Sequence, residues 1–164
     1  MGVWRRELVE AINAWLTEWG ITDSSSLPID PYRIAYLLGI RVTGKDFGQT
    51  SGINAILYKG EVASTIALNK AYPRVRKRFT LAHELVHYLF HPFGAYCETS
   101  KCTRNPYEVQ ANFGAAELLM PAQLVVEAVW ELGPEVDRIA TRFGTSKEAT
   151  RIRLVQLGFG KYII

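Results

Sequence analysis

Cysteine is scarce: the 164 residues contain two, Cys97 and Cys102. No disulfide framework can staple such a chain. The pair reads as two structural thiols in a loop, since a disulfide in a reducing compartment is unusual. Histidine is nearly as rare, with three residues, and all three fall between positions 83 and 91. A surplus of one charge is also missing. Nineteen Lys and Arg stand against sixteen Asp and Glu, a net charge of +3, which is too weak to imply nucleic acid by itself. No apolar run approaches the length of a membrane span. The N-terminus, Met1 to Glu7, has neither the apolar centre nor the small-residue cleavage site of a signal peptide. The expectation is a cytoplasmic protein without membrane attachment.

What remains is ordinary globular material. Hydrophobic residues make up 48% and charged residues 21%, near the averages for a folded domain, and the length suits one domain with a real core. No internal repeat or low-complexity segment is present. The expected domain is 1–164, divided into an N-terminal helix and linker (1–26), a central core (30–121) and a C-terminal helical segment (122–164).

Periodicity supplies the elements. Val3, Leu8, Ile12, Trp15, Leu16 and Trp19 fall near helical spacing, and Gly20 stops that helix. Thr22 to Ser26 is a polar linker. Asp30-Pro31 has the form of an N-cap followed by a first helical residue, and Gly39 closes the short helix. Ile40 to Thr43 reads as a strand. Ile53 to Tyr58 and Val62 to Leu68 read as a hairpin with a tight turn at Lys59-Gly60. Asn69 to Pro73 leads into a helix that carries the histidines. Asn105-Pro106 opens another helix reaching about Met120, and Pro121 begins the next. Helices near 135–143 and 146–157 flank Gly144, with Thr145 and Glu148 at capping-box spacing. Lys161 to Ile164 reads as a short tail strand. The fold class is α+β: a small, mostly antiparallel sheet packed on a helical domain, with C-terminal helix-turn-helix-like helices.

The chemistry lies in His83-Glu84-Leu85-Val86-His87. Residues four apart share one helix face, so both imidazoles can chelate one tetrahedral ion. Glu84 then lies beside the metal, where its carboxylate can take a proton from the attacking water. Two histidines and a glutamate could also be chance surface groups. Against this, Leu81, Ala82, Leu85, Val86, Leu89 and Phe90 make the helix too apolar to be exposed, and buried imidazoles need partners. Zinc, one per chain, is the preferred ion from geometry, although manganese or iron would accept the same ligands.

A third protein ligand is needed. His91 lies one more turn along the same helix, and three ligands rising along one helix cannot surround an ion. It reads instead as a partly charged imidazole at the helix C-terminus. The third ligand should come from another element as a carboxylate or thiolate. Glu108 and Glu117 are the carboxylate candidates on the helix at Pro106, with Cys97 and Cys102 behind them. Glu108 has Asn112 four residues on, so one turn could supply a ligand and an amide that orients a histidine. Glu108 is also what the dipole favours in any first helical turn. Tyr88, Tyr96 and Tyr107 are candidates for an oxyanion stabiliser.

These residues resemble the ImmA/IrrE family of metallopeptidases, from about Asp30 to Gly158. The specific parts are Arg78 to His87, Glu108 to Phe113, and Ala115-Ala116-Glu117-Leu118-Leu119-Met120-Pro121. The resemblance implies a zinc site of His83, His87 and Glu108, with Glu84 as general base. It implies a site-specific endopeptidase whose protein substrate is a helix-turn-helix transcriptional repressor, cleaved to derepress stress or mobile-element genes. Phe113-Gly114 stands where the family has Phe-Ala, which loosens the helix but removes no functional group. In metallopeptidases of this general build a strand edge pairs with the extended substrate, and Thr65 to Asn69 is the expected edge.

Rival readings rest on two segments. Val136 to Thr150 has a helix-turn-helix rhythm, with Arg151 and Arg153 on its second helix. Glu148 near the start of that helix would face phosphates, so direct nucleic-acid binding is not expected. A non-cleaving sensor built on the same fold would have no chemical need of Glu84. The basic run Arg74, Arg76, Lys77, Arg78 reads as a solvated helix face, or as a contact for an acidic patch on a protein substrate.

Overall fold

The computed structural model describes residues 2–60, 62–92, 96–99 and 105–163, with 96–99 described as backbone only. It is α+β, and the described chain divides into two compact units, Asp30–Ala115 and Met1–Ile29 with Ala116–Ile164.

The first unit begins at helix α2 (Pro31–Leu37), after α1 (Val3–Glu18) of the other unit. The Asp30 side chain accepts from the Tyr32 N–H at 3.0 Å, and Pro31 takes the first position, where a missing N–H costs nothing. Gly39, at φ +69°, turns the chain into β1 (Ile40–Lys45). Strands β2 (Ile53–Lys59), β3 (Ser64–Asn69) and β4 (Tyr96–Thr99) complete a sheet of order β1-β3-β2-β4. β1 runs parallel to β3, while the β2–β3 and β2–β4 pairs are antiparallel. The mostly antiparallel character follows.

Three sequence expectations need correcting here. The β2–β3 connection is longer than a tight two-residue turn, because Lys59 pairs with Ser64 and four residues of sequence separate them. Cys97 is not in a loop: its backbone belongs to β4, opposite Ile56. Cys102 lies outside the described residues. Finally, Thr65 to Asn69 is no sheet edge. β3 is paired on both sides, so its ladder hydrogen bonds are already taken and cannot receive a substrate strand.

Helix α3 (Arg74–Phe90) packs on the sheet through Leu81, Ala82, Leu85 and Val86, all buried with Leu57, Ile66 and Leu68. Its first turn carries no acid, so the cations at 74, 76, 77 and 78 oppose the helix dipole. They are not a uniform solvated face. Arg78 is buried, and Arg76 donates to Asn54 Oδ1 at 2.7 Å while lying over the Tyr72 ring. Helix α4 (Pro106–Leu119) supplies Glu108, Ala111 and Ala115 to this unit.

The other unit is helical. In α1, Leu8, Ile12 and Leu16 form one buried stripe at four-residue spacing. The end of α4 is followed by α5 (Ala122–Leu132), α6 (Val136–Phe143) and α7 (Lys147–Gln156). Met120, Leu124, Val125, Ile139, Phe143 and Leu154 form their common core. Gly144, in the left-handed region at φ +62°, ends α6 and makes the turn into α7. The cap of α7 is Ser146, whose side chain accepts from Ala149 N–H at 3.1 Å. Thr145 does not cap: its hydroxyl is buried 2.8 Å from that of Thr150. Residues 161–163 are turn and coil, not strand. Among the described residues no single helix is long and apolar enough to cross a membrane.

Arg153 is the least expected member of this core. It is buried, ion-paired with Glu117, and donates from Nε to the Met120 carbonyl at 3.0 Å. Glu117 also accepts from Ala122 N–H at 3.0 Å, closing the first turn of α5. Removing one partner of a buried pair strands the other charge, which costs about 3–5 kcal/mol. Arg153→Met should therefore destabilise the protein by about that amount in urea titration. Adding Glu117→Gln should recover part of the loss, because the amide keeps an acceptor for Ala122 and carries no charge.

Candidate metal centre

The centre grows from helix periodicity. Four-residue spacing on α3 stacks His83 over His87, with ring centroids 4.7 Å apart. Glu108, in the first turn of α4, reaches both: its carboxylate oxygens lie 3.1 Å from His83 Nε2 and 3.3 Å from His87 Nε2. The two Nε2 atoms are 3.0 Å apart. One ligand atom from each of the three residues falls within a 4.8 Å circle, and all three residues are buried.

These spacings suit one small cation. Ligands at about 2.0–2.2 Å from a tetrahedral ion stand about 3.4 Å from one another. The donor set, two imidazoles and a carboxylate, is also the composition of open catalytic zinc sites. Three lone-pair acceptors this close repel one another in a dry site unless positive charge lies among them. Burial alone would raise the Glu108 carboxyl from 4.5, but hydrogen bonds from His83 and His87, and their charge, outweigh it and hold it at about 2.

The other ring nitrogens are fixed too. His83 Nδ1 lies 3.0 Å from Asn112 Oδ1. An amide oxygen only accepts, so Nδ1 carries a hydrogen, and in the neutral ring Nε2 is left with the lone pair that an ion would take. Asn112 is one turn beyond Glu108, so a single face of α4 supplies both the carboxylate and this amide. Glu84 lies on α3 between the histidines and is fully buried.

Some expected residues fall elsewhere. Glu117 is committed to Arg153 and to the cap of α5. His91 is not a partly charged group answering the helix dipole. Burial, and then the neighbouring His87, lower its pKa below 6.5. Its Nδ1 lies 2.7 Å from His87 Nδ1, and its Nε2 lies 3.1 Å from Gln110 Oε1. Gln110 was not singled out from sequence. The usable signal was its place on α4 between Glu108 and Asn112. Of the tyrosines, Tyr107 packs against His91 with tilted rings 4.7 Å apart, and Tyr88 lies beneath Lys59. The Tyr96 side chain lies outside the description. The helix-turn-helix-like segment has most of its cations engaged: Arg138 with Glu135, Arg142 with Glu131, Lys147 with Asp137, and Arg153 in the core.

Residues 37–155 match the peptidase family Peptidase_M78, described as the IrrE N-terminal-like domain. Among solved structures, a Mycobacterium tuberculosis transcriptional regulator is similar, with a TM-score of 0.62 and 19% identity over 90% of this chain and 46% of that one. At that identity the likeness is one of fold, and this chain spans about half the regulator's length. No curated protein matches the chain in sequence.

The low Glu108 pKa gives a signed pH dependence. Its folded value lies below its unfolded one, so its contribution to stability is complete above about 4.5 and is lost as pH falls towards about 2. Glu108→Gln should flatten the acid limb of metal-free stability across that window, followed by thermal melting at low salt. It should also weaken zinc binding by at least about tenfold in chelator competition.

Proposed function

The chain belongs to the IrrE N-terminal-like peptidase family, and from that premise we propose that it is a zinc-dependent, site-specific endopeptidase. Its proposed substrate is a helix-turn-helix transcriptional repressor, cut to release stress or mobile-element genes. The observation that carries the peptidase reading is the convergence of His83 Nε2, His87 Nε2 and the Glu108 carboxylate beside a buried Glu84. The substrate class rests on the resemblance of the Arg78–His87 and Glu108–Pro121 segments to the family.

His83, His87 and Glu108 would hold the ion. When bound, a divalent ion supplies Lewis-acid polarisation of the scissile carbonyl and a more acidic water. The protein does the rest. Asn112 keeps His83 in the tautomer whose Nε2 faces inward. A Glu84 carboxylate oxygen accepts the proton of the attacking water and returns it to the departing amine nitrogen. Burial of the centre keeps bulk water from screening these charges.

A DNA-binding role for α6 and α7 draws less support. Most cations that would meet phosphates are neutralised by partners or buried.

Purified wild type and Glu84→Gln are to be incubated with repressors encoded beside the gene. Wild type should cut one of them at a single bond. Glu84→Gln should retain about one zinc while cleaving about 10²–10⁴-fold more slowly, the usual worth of a positioned general base. Cleavage that survives either Glu84→Gln or metal chelation would overturn the reading.

A further inference from the structure

The proposed hydrolysis makes no use of His91, although this histidine is buried and touches a proposed ligand. We propose that His91 and Gln110 form a positioning relay that fixes His87 for metal binding, an inference that rests on the zinc reading of the centre.

The hydrogens can be assigned from one end. Gln110 presents Oε1, an acceptor, to His91 Nε2 at 3.1 Å, so that nitrogen bears the hydrogen. A neutral imidazole then has only a lone pair on Nδ1. The 2.7 Å separation of His91 Nδ1 from His87 Nδ1 needs one hydrogen between them. It must therefore belong to His87 Nδ1. A neutral His87 then has its lone pair on Nε2, the atom that faces Glu108 and His83. The chain of donors runs His87 to His91 to Gln110, in one direction only.

The acceptor itself is held from three sides. Lys59 donates to the His91 carbonyl at 3.2 Å, the tilted Tyr107 ring packs against the imidazole at 4.7 Å, and the His91 N–H donates to the His87 carbonyl at 3.1 Å. His83 and His87 thus have different outer partners. His83 is oriented by an amide oxygen and His87 by an imidazole nitrogen, a stronger base that should pull harder on the ligand hydrogen and raise the ligand's basicity.

The test is zinc affinity by chelator competition, in the full chain, for wild type, His91→Leu, His91→Asn and Gln110→Leu. His91→Leu removes the acceptor and should weaken zinc by about 10–100-fold. His91→Asn can place an amide oxygen near the former Nδ1 and should regain most of the affinity, which a purely packing role would not predict. Gln110→Leu, which leaves His91 in place, should lose up to about tenfold. The zinc-loaded wild type, labelled with ¹⁵N-histidine, should also show hydrogen on His87 Nδ1 coupled through the hydrogen bond to His91 Nδ1. This spectrum decides the matter even if His91→Leu does not fold. Equal zinc affinity in wild type and His91→Leu, no rescue by His91→Asn, or hydrogen on His91 Nδ1 would overturn the relay alone. A wild type that takes up no zinc would overturn both the relay and the peptidase reading. Zinc binding without cleavage would leave the relay standing.

Discussion

Positive charge must be reconciled with three converging lone pairs. His83 Nε2, His87 Nε2 and the Glu108 carboxylate stand 3.0–3.3 Å apart in a buried place. Water would screen such a cluster, but α3 packed on the sheet keeps water away. A burial that is favourable for Leu81, Leu85 and Val86 is therefore costly for the polar atoms between them. The outer ring nitrogens are each given a partner. Asn112 serves His83, His91 serves His87, and Gln110 serves His91. The polar groups then work as one network, in which each donor determines the tautomer of the next.

Much of this was legible in the residues because helical spacing is rigid. His83 and His87 could share a face only on a helix, and the apolar residues around them required that helix to be buried. The i, i+4 relation of Glu108 and Asn112 places a carboxylate and an amide on one face by spacing alone. The same spacing argument stopped short at His91. It kept a third histidine on the same helix out of the ligand set, yet the same rise along the helix is what brings its Nδ1 against His87. Exposure decided its charge, and exposure depends on β2 and α4, which sequence periodicity does not position.

The sheet was harder to read for a related reason. Alternation of apolar residues reports that a strand has a buried face, not who its neighbours are. β3 looked like a free edge because its partner β1 lies two strands earlier in the chain and pairs with it in parallel, with β2 between them in sequence. β4 escaped notice because four residues are too short for a periodic signal. The cap of α7 shows the limit of motif spacing. Thr145 and Ser146 are both good caps, and burial of the Thr145 hydroxyl against Thr150 leaves the role to Ser146.

The helix-turn-helix-like segment shows how one pattern of residues can serve two ends. Ala140, Gly144 and the helices around them satisfy the packing demands of such a turn whether or not a duplex is ever bound. What separates the uses is the electrostatics of the second helix. A reading helix keeps its cations in solvent, facing phosphates, where each can displace a counterion. Here Arg153 has turned inward to Glu117, and Lys147 at the helix start is paired with Asp137. Arg151 is left exposed, with Glu148 in the same first turns. Burying a guanidinium is expensive, so the place of Arg153 is better explained by what it holds: Glu117, and through it the first turn of α5. The basic residues of α7 thus act chiefly on the unit's own interior, and the case for function stays with the histidine helix.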